Sequence, residues 1–202
     1  MDETSTDDDL LTRAGEAIRD GETVVYPTET VYGLGADALS AEAVERVFEI
    51  KGRSRDKPLS LGVPSVDAAL THTRPTERAE AFMREFLPGP VTVVVERGQS
   101  VPDALVAGRD RVGIRVPDHD LALAFYREAA PAPVTATSAN VSGRPSVRRV
   151  SELDESVREA VAVVLDDGET PGTESTVVDP EEGVIHRRGA RADEIDAWLA
   201  GH

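Results

Sequence analysis

The chain has 202 residues, of which 40% are hydrophobic, and a formal net charge of -16 at pH 7. It contains no cysteine, which excludes disulfides, thiolate catalysis and cysteine-ligated metals. No run approaches the roughly 20 apolar residues of a membrane span, and the acidic N-terminus is unlike a signal peptide. We therefore expect a cytoplasmic protein. The acid excess with few lysines also resembles the proteins of salt-loving microbes.

The first part of the chain predicts helices that alternate with short strands. Residues 1–7 are expected to be mobile, as chain termini commonly are. Apolar periodicity and capping residues then predict a helix over 8–19, a strand over 23–26, a helix from Ser40 to about Lys51, and a short buried strand within 58–63.

The rest of the chain continues the alternation. Helices are predicted over 76–86, 118–126 with Asp118 as the cap, and 193–199. Strands are predicted over 91–96, 111–116, 134–136, 161–165, 175–179 and 184–188. Because the order lacks a strict βαβ rhythm, we predict an α/β fold: a single domain over residues 1–202, with a twisted mixed β-sheet flanked by helices.

Positive charge is concentrated in one short segment. The chain has only two lysines, Lys51 and Lys57, and both lie in KGRSRDKPLS together with Arg53 and Arg55. A molecule this acidic repels anions, so anion binding requires a local reversal of the field. The cations also lie next to the beginning of a predicted strand, and α/β proteins bind ligands at the ends of strands. The segment favours a polyphosphate site, and the alternative is a solvated surface cluster.

Two loops rich in small and hydroxyl-bearing residues follow predicted strands. The first is YPTETVYGLG, residues 26–35, and the second is TATSANVSGRPS, residues 135–146. Glycine lets the backbone approach a ligand closely, and short donors suit a phosphate or a carbonyl oxygen. The alternative for both is an ordinary turn whose side chains satisfy backbone groups.

Arg115 lies between apolar neighbours in a predicted strand, so it needs a carboxylate or phosphate partner. A structural ion pair is the alternative to a ligand site. The common nucleotide motifs GxxxxGK[ST] and GxGxxG are absent, as is GxSxG. The histidines show no metal-ligand spacing, and we expect no metal held by the protein; they are His72, His119, His186 and His202.

Seven short motifs together resemble the YrdC-like family, the L-threonylcarbamoyladenylate synthases that start the t6A modification of tRNA. In family order they are PTETVYGLG (27–35), KGR with KPL (51–59), PGPVT (88–92), GIRVPDH (113–119), TSANVSG (137–143), ESTVVD (174–179) and RRG (187–189). The resemblance implies the YrdC-like fold in its short, single-domain form.

The resemblance also implies a reaction. L-threonine, bicarbonate or CO2, and ATP yield threonylcarbamoyl-AMP with release of pyrophosphate, and Mg2+ is carried with the phosphates. The product passes to a tRNA threonylcarbamoyl transferase. A weak contact with tRNA is expected, and contact with a membrane is not.

Residue roles follow from the matched positions. Lys51 and Arg53 are the implied catalytic residues. The implied ATP-binding residues are Lys51, Arg53, Lys57, Ser138, Asn140, Ser146 and Arg187. The residues implied to bind L-threonine are Thr30, Arg115 and Ser175, with Arg115 on the carboxylate. Many relatives have a histidine where this chain has Gly62, so the group that replaces it stays open.

Two alternatives to the synthase come from other uses of the same fold. The first is a non-catalytic module that binds transfer or double-stranded RNA, which the net charge of -16 and the 4% aromatic content oppose. The second is the carbamoyl-group chemistry of hydrogenase maturation, where this fold occurs inside much longer proteins.

Overall fold

The computed structural model of the protein describes residues 3–201. Its α-helices, in chain order, are α1 (Glu3–Arg19), α2 (Ala41–Lys51), α3 (Val66–Leu70), α4 (Glu77–Phe86), α5 (Asp103–Val106), α6 (Asp120–Ala129), α7 (Glu155–Ala160) and α8 (Ala192–Gly201). No helix within this range is long and apolar enough to cross a lipid bilayer.

The strands form one mixed sheet across the described residues. They are β1 (Val24–Tyr26), β2 (Gly33–Gly35), β3 (Ser60–Gly62), β4 (Val91–Glu96), β5 (Arg111–Arg115), β6 (Val134–Ser138), β7 (Val163–Val164), β8 (Thr176–Asp179) and β9 (Val184–Arg187). Their order in the sheet is β7-β1-β2-β6-β3-β5-β4-β8-β9. The pairs β1–β7, β3–β5 and β4–β8 are parallel, and the other neighbours are antiparallel.

Helices cover the sheet through two hydrophobic clusters. Val24 and Tyr26 belong to the cluster under α1 and α6, whereas Val25 belongs to the larger cluster that contains Phe48 of α2 and Phe82 of α4. This division follows from the strand itself, because successive side chains point to opposite faces of a sheet. The predicted α/β fold, a mixed sheet flanked by helices, is confirmed.

Helix α2 ends at the first lysine, Lys51, and both of its ends are capped. The Ser40 side chain accepts a hydrogen bond from the Ala43 N–H, which satisfies one of the unpaired donors of the first turn. Gly52 ends the helix in the left-handed conformation, with φ of 54°, which glycine adopts without a steric cost. Lys51 is therefore fixed in the last turn, where it is buried.

Several predicted boundaries are wrong. Helix α1 begins at Glu3 and not near residue 8; the expected mobility of residues 1–7 stays a prediction, and Met1 and Asp2 lie outside the described residues. Helix α6 is preceded by His119 instead of Asp118, and it continues to Ala129. Strand β6 continues to Ser138, because Ser138 pairs with Gly33 of β2.

Four short elements were not predicted: β2, α3, α5 and α7. Each has six residues or fewer, too few for a periodic pattern to emerge. Strand β2 is the most consequential of them. Its sequence, Gly33-Leu34-Gly35, predicts a loop, yet it joins β1 to β6 in the sheet.

Candidate functional site

A cavity of about 910 Å³ lies over one face of the sheet, because alternate residues of three neighbouring strands line it: Thr92 and Val94 of β4, Arg111, Gly113 and Arg115 of β5, and Val177 and Asp179 of β8. This volume lies within the roughly 300–1,000 Å³ that is typical of small-molecule sites. Most of the residues expected to bind ligands line it: Thr30, Arg53, Lys57, Arg115, Ser138, Ser175 and Arg187. The expected residues that do not line it are Lys51, Asn140 and Ser146.

Arg53 is held at the cavity wall by the segment that follows it. Its Nε donates to the carbonyl oxygen of Lys57 at 3.0 Å, and its NH2 donates to that of Pro58 at 3.1 Å. Burial, and then the charge of Arg187, lowers the pKa of Arg53. Both guanidinium groups line the cavity, and a bound anion would relieve the repulsion between them.

Arg187 joins the end of β9 to the start of β8. Its Nε and NH2 donate to the Ser175 carbonyl oxygen at 3.1 and 2.9 Å, and NH2 also donates to the Ser175 hydroxyl at 2.9 Å. An ion pair with Glu174 at 3.5 Å is longer, and the Arg187 side chain stays 47% exposed. The guanidinium is therefore oriented by the protein and still accessible to a ligand.

Lys51 lies behind the loop of residues 138–142 rather than in the cavity. Only 1% of the residue is exposed, and its ammonium group donates to the carbonyl oxygens of Ser138 and, at 2.6 Å, of Asn140. Burial, and then the charge of Arg53, lowers the pKa of Lys51 to about 8. The backbone also connects Lys51 to this loop, because the Ser142 N–H donates to the Lys51 carbonyl oxygen at 2.8 Å.

Hydrogen bonds from side chains of the same loop stabilise its conformation. The Ser138 hydroxyl donates to Asn140 Oδ1, and Asn140 Nδ2 donates to the carbonyl oxygens of Val141 at 3.0 Å and of Arg144 at 2.8 Å. Asn140 therefore stabilises the conformation of the loop, whereas Ser138 is the loop residue that lines the cavity. Ser146 lies further along the chain, and its hydroxyl donates to Glu174 Oε1 at 3.2 Å.

Arg115 lies elsewhere along the cavity wall, in a dense set of acceptors. Its NH1 donates to the carbonyl oxygens of Gly89 and, at 3.1 Å, of Val91. Its NH2 donates to Glu29 Oε1 at 2.7 Å and to the Thr30 hydroxyl at 3.4 Å. The structural ion pair that the sequence left open is therefore present. The contact between Arg115 and a substrate carboxylate stays a prediction.

Two tyrosines that the sequence does not indicate as site residues line the cavity near Gly62. The hydroxyls of Tyr26 and Tyr126 lie 2.8 Å apart, and both residues are buried. Burial raises the pKa of Tyr26 to about 12 and that of Tyr126 well above its ordinary value. A Cβ atom on Gly62 would lie 2.7 Å from Tyr126 Cζ. The tyrosine therefore fills the space beside Gly62, a role for which the local sequence gives no signal.

Three potential metal ligands meet at the cavity, although their spacing in the sequence did not indicate it. One ligand atom from each of Asp179, Glu182 and His186 lies within 4.8 Å of the others. Asp179 is already engaged, since Oδ1 accepts from two backbone N–H groups at 3.0 Å and Oδ2 pairs with Arg111 at 2.6 Å. We therefore assign no metal to this cluster.

The fold and the cavity define an α/β domain with guanidinium groups and hydroxyls concentrated in one cavity over the face of its sheet. The volume of this cavity is typical of small-molecule sites. The family model Sua5–YciO–YrdC, described as telomere recombination, matches residues 16–189. The chain belongs to this family.

Named relatives agree with this assignment. The threonylcarbamoyl-AMP synthase of Bacillus subtilis is 38% identical over 98% of the chain, and that of Pyrococcus abyssi is 42% identical over 82% of it. The crystal structure of P. abyssi Sua5 complexed with L-threonine superposes on 93% of the chain, with a TM-score of 0.85 and 38% identity. The chain spans 59% and 49% of the length of the two named synthases, and 56% of the chain in the crystal structure.

Proposed function

We propose that this protein makes threonylcarbamoyl-AMP from L-threonine, bicarbonate or CO2, and ATP, with release of pyrophosphate, the first step of the t6A modification of tRNA. The observation that carries the proposal is the single cavity that combines Arg53, Lys57 and Arg187 with Thr30 and Arg115. The same cavity therefore offers cations that can bind a polyphosphate and hydroxyls that can bind an amino acid. The names of the relatives support the same activity.

The reaction has two bond-forming steps. The α-ammonium group of threonine first loses a proton to solvent. The resulting amine takes up the carbon of bicarbonate, water leaves, and a carbamate forms. A carbamate oxygen then attacks the α-phosphorus of ATP, and the bond to the pyrophosphate leaving group breaks. Acceleration depends on alignment of the reactants and on cations near the phosphates, where negative charge develops.

We assign the polyphosphate to Arg53, Lys57 and Arg187. The mutual repulsion of the two guanidinium groups favours an anion between them. Ser138 offers a hydroxyl at the same cavity, and Ser146, bonded to Glu174, is the proposed outer contact of the nucleotide.

Lys51 and Asn140 are assigned to ATP binding through the loop that they hold. The Lys51 ammonium is engaged by the carbonyl oxygens of residues 138 and 140. We therefore treat it as a positioning residue that keeps the loop in shape and adds positive charge behind it.

L-Threonine is assigned to the part of the cavity that contains Thr30, Arg115 and Ser175. Arg115 is the proposed partner of the substrate carboxylate, because charge-assisted bonds from a guanidinium suit that group. The hydroxyls of Thr30 and Ser175 add hydrogen bonds nearby, and both residues are nearly buried.

ATP is proposed to enter with Mg2+ on its phosphates, since the oxygens of Asp179 are already engaged by protein groups. The product is proposed to pass to a tRNA threonylcarbamoyl transferase, with at most a weak contact between this protein and tRNA. A single domain over residues 1–202 and a cytoplasmic location belong to the same proposal. An RNA-binding module is less favoured, because a net charge of -16 opposes contacts with phosphate backbones.

Pyrophosphate release tests the function directly. Purified protein with MgATP should release pyrophosphate only when L-threonine and bicarbonate are both present. Omission of either one should reduce release to the background. Release that is independent of L-threonine, or absent at every salt concentration while RNA binds tightly, would contradict the proposal.

A further inference from the structure

The two oxygens of the Glu29 carboxylate lie in different environments. Oε1 accepts a hydrogen bond from Arg115 NH2 at 2.7 Å. Oε2 is buried and accepts no hydrogen bond from any described residue. A buried carboxylate oxygen without a donor is costly, and an unpaired group of this kind in a native structure requires an explanation. One such explanation is that a bound ligand supplies the hydrogen-bond donor for Oε2.

The hydroxyl groups next to Glu29 in the chain do not supply that donor. Thr28 Oγ1 donates its proton to the Val31 carbonyl oxygen at 2.6 Å. Since Thr28 has then used its only proton, Thr30 must be the donor in their 2.8 Å contact. Both protons are consumed within the loop, although both residues line the cavity.

The tyrosine pair is engaged in the same way. Tyr26 donates to the Thr135 carbonyl oxygen at 3.3 Å, so Tyr126 is the donor in the 2.8 Å contact between the two hydroxyls. Glu29 is close enough for its charge to act on both rings: it adds to burial in raising the pKa of Tyr26 and of Tyr126. Glu29 does not itself line the cavity, but its partner Arg115 and its chain neighbours Thr28 and Thr30 do, so its carboxylate adjoins the cavity wall.

We propose that Glu29 binds the α-ammonium group of the amino-acid substrate and so makes the site specific for an amino acid. The inference rests on the proposed function. An α-amino acid carries a cation and an anion on adjacent groups, and the Glu29–Arg115 pair offers the complementary charges 2.7 Å apart. The substrate ammonium supplies the donor that Oε2 lacks.

The contacts of Arg115 allow this arrangement. Its 3.4 Å bond to the Thr30 hydroxyl is the longest of its four contacts, so this donor is the one that a substrate carboxylate displaces most easily. The bonds from NH1 to Gly89 and Val91 meanwhile keep the guanidinium in place. When the substrate is bound, Glu29 therefore contacts both Arg115 and the substrate ammonium group.

Specificity follows from this charge pattern. A hydroxy acid that lacks the amine satisfies Arg115 and leaves Glu29 Oε2 unpaired. 3-Hydroxybutyrate, which is threonine without its amino group, is the matched probe. A site that hydrogen-bonds a polar group of the substrate discriminates strongly against the analogue that lacks the group.

Calorimetric binding of L-threonine and 3-hydroxybutyrate to the wild type and to Glu29→Gln tests the proposal. The variant should bind L-threonine about tenfold or more weakly, as expected for loss of a charge-assisted hydrogen bond. Its affinity for 3-hydroxybutyrate should be unchanged or higher, because Arg115 loses a competing anion. Glu29→Asp, which keeps the charge on a shorter side chain, should weaken L-threonine binding less than Glu29→Gln does.

Glu181→Gln is the matched control. Glu181 pairs with Arg111 at 2.7 Å and its side chain is 18% exposed, against 2.7 Å and 16% for Glu29. Its ion pair is with Arg111 and its other hydrogen bond is with the Thr76 N–H, so its loss does not change the contacts of Arg115 and should leave both affinities unchanged.

Unchanged L-threonine affinity in both Glu29 variants, or equal weakening of both ligands, would overturn the inference and leave the proposed function intact. Failure of the wild type to bind L-threonine would overturn both. If Glu29→Gln does not fold, the comparison of the two ligands on Glu29→Asp decides in the same way.

Discussion

The ammonium group of Lys51 lies 2.6 Å from the backbone carbonyl oxygen of Asn140, in a part of the molecule that solvent barely reaches. The chain uses one of its two lysines to hold a loop and presents the other, Lys57, to the cavity. Substitutions of the two lysines should therefore have different effects on stability and on ATP affinity.

Lys51→Met should lower both stability and ATP affinity. The substitution leaves two carbonyl oxygens without their donor, and a buried acceptor left unsatisfied costs about 1–3 kcal/mol. Lys57→Met is the matched control: Lys57 is exposed, so its loss should weaken ATP binding and leave the free energy of unfolding unchanged. Urea denaturation and calorimetry measure the two quantities. Equal stability of Lys51→Met and the wild type would contradict the role in holding the loop.

ATP affinity should fall as the pH is raised through about 8, where Lys51 loses its charge. Stability should not fall with it. Because burial lowers the pKa of folded Lys51 below its ordinary value of 10.5, the unfolded chain retains this proton at pH values where the folded protein has lost it. Between about pH 8 and 10.5 this group therefore makes stability rise with pH.

Calorimetric titration of a non-hydrolysable ATP analogue between pH 7 and 9 measures the effect. Lys51→Met, which cannot titrate at this position, should lack the change near pH 8. The idea fails if the wild type and Lys51→Met show the same pH profile.

Arg53→Ala should weaken ATP binding far more than Arg55→Ala, although the two residues are neighbours. Arg53 lines the cavity, whereas Arg55 is exposed and pairs with Glu45. Loss of a charge-assisted contact is worth about 1.5–3 kcal/mol, which corresponds to roughly 10- to 150-fold in Kd. Arg55→Ala should stay within about threefold of the wild type, since exposed ion pairs contribute little. Similar losses in both variants would mean that only the net charge of the segment matters.

Gly62→Ala should destabilise the protein by about 1–3 kcal/mol, as overpacking of a buried site usually does. The added methyl group would meet the ring of Tyr126, which is itself fully packed. Gly201→Ala provides the control, because nothing lies within 4 Å of a Cβ atom there. Thermal unfolding of both variants measures the difference. A Gly62→Ala protein as stable as the control would show that Tyr126 can move away.

The fold class could be predicted because its longer elements carry strong local signals. Helix α4 begins after Thr76 and ends at Phe86 as predicted, and β4 matches its predicted range of 91–96. Strand β2 gave no such signal, because three residues with two glycines resemble a turn. It is a strand because β1 and β6 lie on either side of it, a tertiary effect that local sequence does not contain.

The candidate site was predictable as a set of residues but not as a set of contacts. The clustering of Lys51, Arg53 and Lys57 in the sequence indicated local positive charge. It did not indicate that Lys51 would turn away from the cavity, since that depends on where β6 ends. The Tyr26–Tyr126 pair joins residues 100 positions apart, so no local pattern reveals it.

A crystal structure of the protein with L-threonine and a non-hydrolysable ATP analogue tests the central claim most directly. We predict both molecules in the same cavity, with the triphosphate between Arg53 and Arg187 and the amino acid beside Arg115. A nucleotide bound on another face, or an amino acid remote from the phosphates, would contradict the account.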